Sequence, residues 1–90
     1  FMVRLEVFSG DPPCPGCVAL VELAQRVAAK YAGELELIVY VGQEGMAKFE
    51  EYRLFCVPAA VVNGSIRIEG MCPSETTLNN ALREGGLCLK

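Results

Sequence analysis

The sequence predicts an α/β fold, a four-stranded mixed central sheet flanked by helices in the order β-α-β-α-β-β-α. Three observations carry that expectation. A β-rich run, a helical pattern and a near-continuous apolar run follow one another over residues 3–41. This is a βαβ unit, which demands a parallel strand pair and a right-handed crossover. Asn63-Gly64-Ser65 stands between two further apolar runs, a strong hairpin signal and hence an antiparallel pair. Ser74, followed by Glu75, opens a last helical pattern with an N-cap residue and an acid at the positive end of the helix dipole.

Taken in order, Val3 to Phe8 (VRLEVF) is the first strand, rich in β-branched and aromatic residues. Ser9 to Pro13 is dense in turn formers and reads as a loop. The pattern is helical from Pro15 to Ala32. Val18, Val21, Ala24, Val27 or Ala28, and Tyr31 recur at three and four and are expected to face inward, with Glu22, Gln25, Arg26 and Lys30 outward. Gly33 is expected to end the helix. Leu35 to Val41 (LELIVYV) is of the kind buried on both faces of a sheet. Residues 44–53 read as a short helix with Met46 and Phe49 inward. Met46, Phe49, Tyr52 and Phe55 are read as core rather than as a binding stripe. Ala59 to Asn63 and Ile66 to Glu69 form the hairpin, and Thr76 to Arg83 the last helix, stopped by Gly85-Gly86.

Composition narrows the function classes. Ninety residues support one domain, placed at 2–90 with Phe1 left aside. With 52% hydrophobic and 21% charged residues, the balance is that of a globular chain with its own core. Net charge is -3, and the 8 Lys and Arg are scattered, so no nucleic-acid footprint is expected. No apolar run approaches the roughly 20 residues of a spanning helix, and no secretion-signal pattern is visible; neither a membrane nor a secreted setting is expected. The 5 cysteines are an odd number, so at least one cannot pair within the chain. A chain with a full apolar complement needs no disulfide staples. Reactive or metal-binding thiols in the cytoplasm fit better.

The chemistry concentrates in Cys14-Pro15-Gly16-Cys17, where the first strand hands over to the first helix. Pro15 suits the first helical position, because its missing N–H would be unpaired there. Cys14 then becomes the N-cap, its sulfur facing free N–H groups and the positive end of the helix dipole, which favours thiolate over thiol. Cys17 lies one turn on and can reach back to Cys14 to close a disulfide. Cys14 would attack and Cys17 would resolve the mixed disulfide. Two other readings stand beside this one. The cysteines could simply pack in a turn. Alternatively, since the chain has no histidine, Cys14 and Cys17 could recruit Cys56 and Cys72 into a thiolate metal site.

Val57-Pro58 stands directly before the third strand, an entry that suits either a trans proline starting the strand or a cis bond. Together, CPGC at 14–17, VPA at 57–59, the hairpin AAVVNGSIRIEG at 59–70 and a last helix resemble the thioredoxin-like family in its small, glutaredoxin-sized form, over residues 2 to about 86. The resemblance implies a nucleophile at Cys14 and a buried resolving thiol at Cys17. It also implies a cis Val57–Pro58 bond beside them, with Pro15, Gly16 and Val57 meeting the substrate and Gly70 leaving room for a partner chain. As an oxidoreductase the chain is expected to need no bound cofactor and no resident metal, with the thiolate metal module of Cys14, Cys17, Cys56 and Cys72 as the alternative. Its partners would be disulfide-containing proteins and a separate reductase or small-thiol reductant, and the expected form is a monomer.

The sequence also departs from that family. CPGC is neither the CGPC of thioredoxins nor the CPYC of dithiol glutaredoxins. GDPP, with acidic Asp11, replaces the basic residue that glutaredoxins often carry ahead of the first cysteine, and EGMCPSE replaces their GG-D stretch. Both changes weigh against glutathione as a ligand. Thioredoxins bury an aspartate under the active site. The acid in the first strand here is Glu6, read as a solvated residue or a partner for Arg4. Cys56 and Cys72 border the expected site as inert residues, auxiliary thiols or metal ligands. Cys88, in the tail, is read as solvent-accessible. The expected function is thiol–disulfide oxidoreductase.

Overall fold

The computed structural model describes residues 2–87; the reading of Cys88 therefore lies outside the described residues. Its elements are β1 (Val3–Ser9), α1 (Pro15–Lys30), β2 (Leu35–Val41), a 3-10 turn (Gly42–Gly45), α2 (Met46–Glu51), β3 (Ala59–Val62), β4 (Ile66–Glu69) and α3 (Glu75–Glu84). The four strands lie in the order β2-β1-β3-β4. β1 runs parallel to β2 and antiparallel to β3, and β3 is antiparallel to β4. The expected order of elements and the mixed sheet are both present.

Strand alternation sorts the core into two layers. Val3, Leu5 and Val7 of β1 point with Ala60 and Val62 toward α1 and α3, where Leu20, Leu23, Ala24, Val27, Leu78 and Leu82 cover them. Phe8 points the other way, with Ala59 and Val61, toward Tyr52 and Leu54, and Tyr40 and Phe49 pack at the edge of this layer.

Several expectations are corrected by this arrangement. The inward stripe of α1 is Cys17, Leu20, Leu23, Ala24 and Val27, with Tyr31 just beyond, while Val18 is 44% exposed. Both Val18/Val21 and Leu20/Leu23 fit helical spacing, and the larger leucines take the core. The helix ends at Lys30 rather than Ala32 because the chain already turns at Tyr31, whose carbonyl accepts from Glu34 and Leu35 N–H. The strands buried on both faces are β1 and β3, not β2. β2 lies at the sheet edge, and only Leu35 in it is fully buried. Met46 is 49% and Phe55 87% exposed, so of the four expected core residues at 46–55 only Tyr52 is buried, with Phe49 partly so.

Asn63 does more than turn the hairpin. It adopts φ +52, its side-chain oxygen accepts from Arg4 N–H at 2.8 Å, and its amide donates to the Gly85 carbonyl at 2.8 Å. It thereby joins the hairpin tip to β1 and to the end of α3.

Candidate functional site

The cysteine-bearing end of the sheet is assembled by the end of β1, the start of α1 and the entry to β3. Cys14 has the extended backbone of an N-cap (φ -78, ψ 166), and Pro15 follows as the first helical residue. The Cys17 N–H donates to Cys14 Sγ at 3.2 Å, so the sulfur satisfies one of the free donors of the first turn. The Cys14 thiol donates to Cys17 Sγ at 2.8 Å. The two sulfurs differ in access: Cys17 is 0% exposed, whereas Cys14 is half-buried and reaches solvent.

The electrostatics of the site are resolved at Cys17. Burial by itself pushes the Cys17 thiol up. Hydrogen bonds from the Cys14 thiol, from the backbone of Gly10 and Cys14 and, least, from the Ser9 side chain outweigh it and hold Cys17 below the ordinary thiol range. Of the two sulfurs, the accessible one is that of Cys14.

The Val57–Pro58 bond is cis, as is Asp11–Pro12, which no feature of the sequence singles out. The Pro58 ring lies against the cysteine turn: a β-carbon on Gly16 would meet Pro58 Cγ at 3.4 Å and Cys14 Sγ at 3.9 Å. Val57 is exposed beside it, with its Cγ2 3.6 Å from where a β-carbon on Gly10 would stand. The Gly70 N–H donates to the Pro58 carbonyl at 2.9 Å, which ties the end of β4 to the same loop. Gly70 has φ +80, a conformation that favours glycine, and Cys56 Sγ lies 3.1 Å from its β-carbon position. Cys14, Pro15, Gly16, Cys17, Val57, Pro58 and Gly70 therefore all lie at one end of the sheet.

The four-cysteine cage does not form. Cys56 is exposed beside Gly70, whereas Cys72 packs against the α1/α3 core. Among the described residues, no three Cys, Asp or Glu side chains are grouped so as to hold a metal ion.

Of the two readings of Glu6, the solvated residue is corrected and the partner for Arg4 is present. Glu6 is 1% exposed, accepts from Tyr52 Oη at 2.6 Å and Tyr40 Oη at 2.9 Å, and has Arg4 Nε at 3.5 Å. It pairs in register with Val61, on the α2 face of the sheet, whereas Cys17 sits with Ser9 and Val21 on the α1 face. The sheet separates the two. Ser9 is a neighbour of Cys17 that the sequence reading leaves in a loop, although its parity with Leu5 and Val7 on β1 points to that face. Beside Cys17 and Ser9 lies an apolar cavity of about 230 Å³ walled by Pro13, Val18, Val21, Val39 and Val41. Among the described residues, no helix is long and apolar enough to cross a membrane.

Comparison with known proteins agrees with this geometry. The family description "Thioredoxin domain" matches residues 3–83. The chain is 29% identical over 82 residues to a thioredoxin of Methanocaldococcus jannaschii, covering 91% of this chain and 94% of that one. It is 29% identical over 83 residues to a probable thioredoxin of Methanothermobacter thermautotrophicus, covering 92% and 95%. Among solved structures, a thioredoxin-like protein from Clostridium perfringens superposes with TM-score 0.76 at 20% identity, over 94% of this chain and 71% of that one. A mutant thioredoxin from Halobacterium salinarum superposes with TM-score 0.75 at 19% identity, over 98% and 78%.

Proposed function

The chain belongs to the thioredoxin domain family, and from that premise we propose that it reduces disulfides of protein substrates with Cys14 as nucleophile and Cys17 as resolving thiol. The observation that carries the reading is the 2.8 Å sulfur pair at the start of α1, with one member open to solvent and the other enclosed. A substrate disulfide can reach only Cys14. Attack by the Cys14 sulfur forms a Cys14–substrate disulfide and releases one substrate thiolate, which takes up a proton. Cys17, held below the ordinary thiol range, then attacks Cys14 Sγ. That step forms the Cys14–Cys17 disulfide and releases the second substrate thiol. Two electrons have passed to the substrate, and a separate reductase or a small-thiol pool returns them.

In this reading Val57 offers backbone groups to an extended substrate segment, Pro58 and Gly16 shape the approach to Cys14, and Gly70 leaves space for the segment. Pro15 starts the helix that positions both sulfurs. The proposed working form is a monomer in a reducing cytoplasm, where the dithiol can be regenerated.

The test is catalysed reduction of insulin disulfides by dithiothreitol. The native chain is expected to accelerate precipitation of the insulin B chain. Cys14→Ser should abolish the acceleration. Cys17→Ser should accumulate a covalent adduct with substrate, visible by mass spectrometry and cleared by excess thiol. Retained turnover in Cys14→Ser would overturn the assignment of the nucleophile.

A further inference from the structure

Two depressions at the active-site end take no part in the exchange chemistry. The first, a cavity of about 230 Å³, opens beside Val57 and is walled by Phe8, Tyr40, Met46 and Phe49. The second, about 440 Å³, lies between the loop ahead of Cys14 and the turn after β2, and its lining includes Asp11 and Glu44. Gly42 and Gln43 line both, so the two adjoin at that turn. A β-carbon on Gly42 would stand 2.9 Å from Asp11 Cβ, so the Asp11 side chain packs against Gly42.

The charged residues that line this track are Asp11 and Glu44. Lys48, between Met46 and Phe49 on α2, pairs with Glu51 at 3.5 Å. Glu69 stands on the same end of the molecule, outside both linings. The Glu69 carboxylate accepts from Phe55 N–H at 2.7 Å, and one Glu44 oxygen accepts from Val41 N–H at 3.2 Å. Asp11 and Glu44 are both exposed. An occupant of the track therefore meets an apolar cleft next to Val57 and then a carboxylate-lined hollow beside the cysteine loop.

We propose that this track selects disulfide-bearing protein segments that carry an apolar side chain followed by a lysine or arginine beside the cystine. The inference rests on the exchange reading above and names the substrate class for the same site. Charge complementarity chooses the occupant. A cationic side chain gains from both carboxylates, whereas an acidic segment, or an anionic small disulfide, meets repulsion from Asp11 and Glu44. Exposed charges act over about 10 Å at 0.1 M salt and about 3 Å at 1 M, so the selection is expected to be salt-dependent.

The experiment compares kcat/KM of the reduced full chain for four disulfides: two peptides with one internal cystine flanked by Leu-Lys or by Leu-Glu, oxidised glutathione, and the neutral bis(2-hydroxyethyl) disulfide. The Leu-Lys peptide is expected to lead the Leu-Glu peptide about tenfold near 0.05 M salt and less than about twofold near 1 M. In Asp11→Asn/Glu44→Gln the ratio should fall to about two, and in Asp11→Lys it should invert. Each ratio is taken within one protein, so a change in Cys14 reactivity cancels. Equal rates for the two peptides, a lead for oxidised glutathione, or a ratio unchanged by the variants would overturn the docking inference while turnover of the neutral disulfide leaves the exchange reading standing. Failure on all four disulfides would overturn both.

Discussion

The two faces of the sheet each bury an ionisable group, and they handle it differently. On the α1 face, Cys17 is enclosed but touches a sulfur that reaches solvent. On the α2 face, Glu6 is enclosed by Tyr40 and Tyr52, and its exposed neighbour is a charge, Arg4, rather than a reactive atom. Both groups are enclosed and hydrogen-bonded. Only the first has a route out. The contrast shows that burial and hydrogen bonding identify a buried ionisable group, while access decides whether it can act on another molecule.

The largest expected effect breaks the α1 side of the comparison. Cys14→Ser should lower the rate of insulin disulfide reduction at least 1,000-fold, on the order of what removal of a nucleophile costs in other enzymes. Its unfolding midpoint in urea should barely move. A variant that unfolded early would mean that the Cys14–Cys17 contact is structural, like Glu6, and would erase the distinction drawn here.

Glu6→Ala should do the reverse. It strands two buried phenol groups, each costing about 1–3 kcal/mol when left without a partner, so a loss of roughly 2–4 kcal/mol is expected from urea unfolding. Tyr52→Phe should cost less, about 1–2 kcal/mol, because Tyr40 and Arg4 still meet the carboxylate. The disulfide-exchange rate of the folded fraction should stay within about twofold of native, since the sheet separates Glu6 from Cys17. A drop in exchange rate as deep as that of Cys14→Ser would connect the two faces after all.

A smaller effect separates the faces by pH. Cys17 ionises more readily folded than unfolded, so the unfolded chain binds more protons in that window. The reduced protein should therefore gain stability as pH rises toward the ordinary thiol range, and lose that contribution as pH falls through the folded value. Tyr52 behaves oppositely. Burial and the Glu6 carboxylate push it up to about 12, so its proton is held more tightly in the folded chain. That contribution is complete below about 10 and is lost between about 10 and 12. Tyr40 is raised by the same causes. Urea midpoints of the reduced chain should climb toward pH 9 and fall above 10. Cys17→Ala should flatten the rising limb and Tyr52→Phe should weaken the falling one. Unchanged limbs in the two variants would assign the pH dependence to other groups.

How much of this is written locally explains what sequence reading can reach. The cysteine turn, the Ser74 cap and the Asn63-Gly64 hairpin depend on residues within three or four positions, and all three appear where expected. Glu6 depends on Tyr40 and Tyr52, which lie 34 and 46 residues along the chain. No local pattern connects them. The same holds for β2: its apolar run fits a central or an edge strand, and strand order alone places it at the edge. In α1 two overlapping stripes fit the helical period, and the choice between Val18 and Leu20 is made by the surface on which the helix packs. The departure at Asp11, by contrast, is visible from the residue type, and the structure adds the hollow that it lines.

The smallest effect compares two helix starts built alike. Cys14 opens α1 with ψ 166 and accepts from Cys17 N–H; Ser74 opens α3 with ψ 161 and accepts from Thr77 N–H at 3.1 Å. Each side chain satisfies one free donor of a first turn. Serine ranks among the best residues for this position, and its loss to alanine costs typically about 1 kcal/mol. Ser74→Ala should therefore lower stability by about that amount and leave disulfide exchange untouched. Cys14→Ser exchanges one capping atom for a better one, so its stability should hold or rise by less than about 1 kcal/mol while its activity vanishes. A stability loss in Cys14→Ser equal to that in Ser74→Ala would show that sulfur and hydroxyl are not interchangeable as caps here. The helix start at residue 14 would then be built around the sulfur itself, and fold and chemistry at that position could not be varied separately.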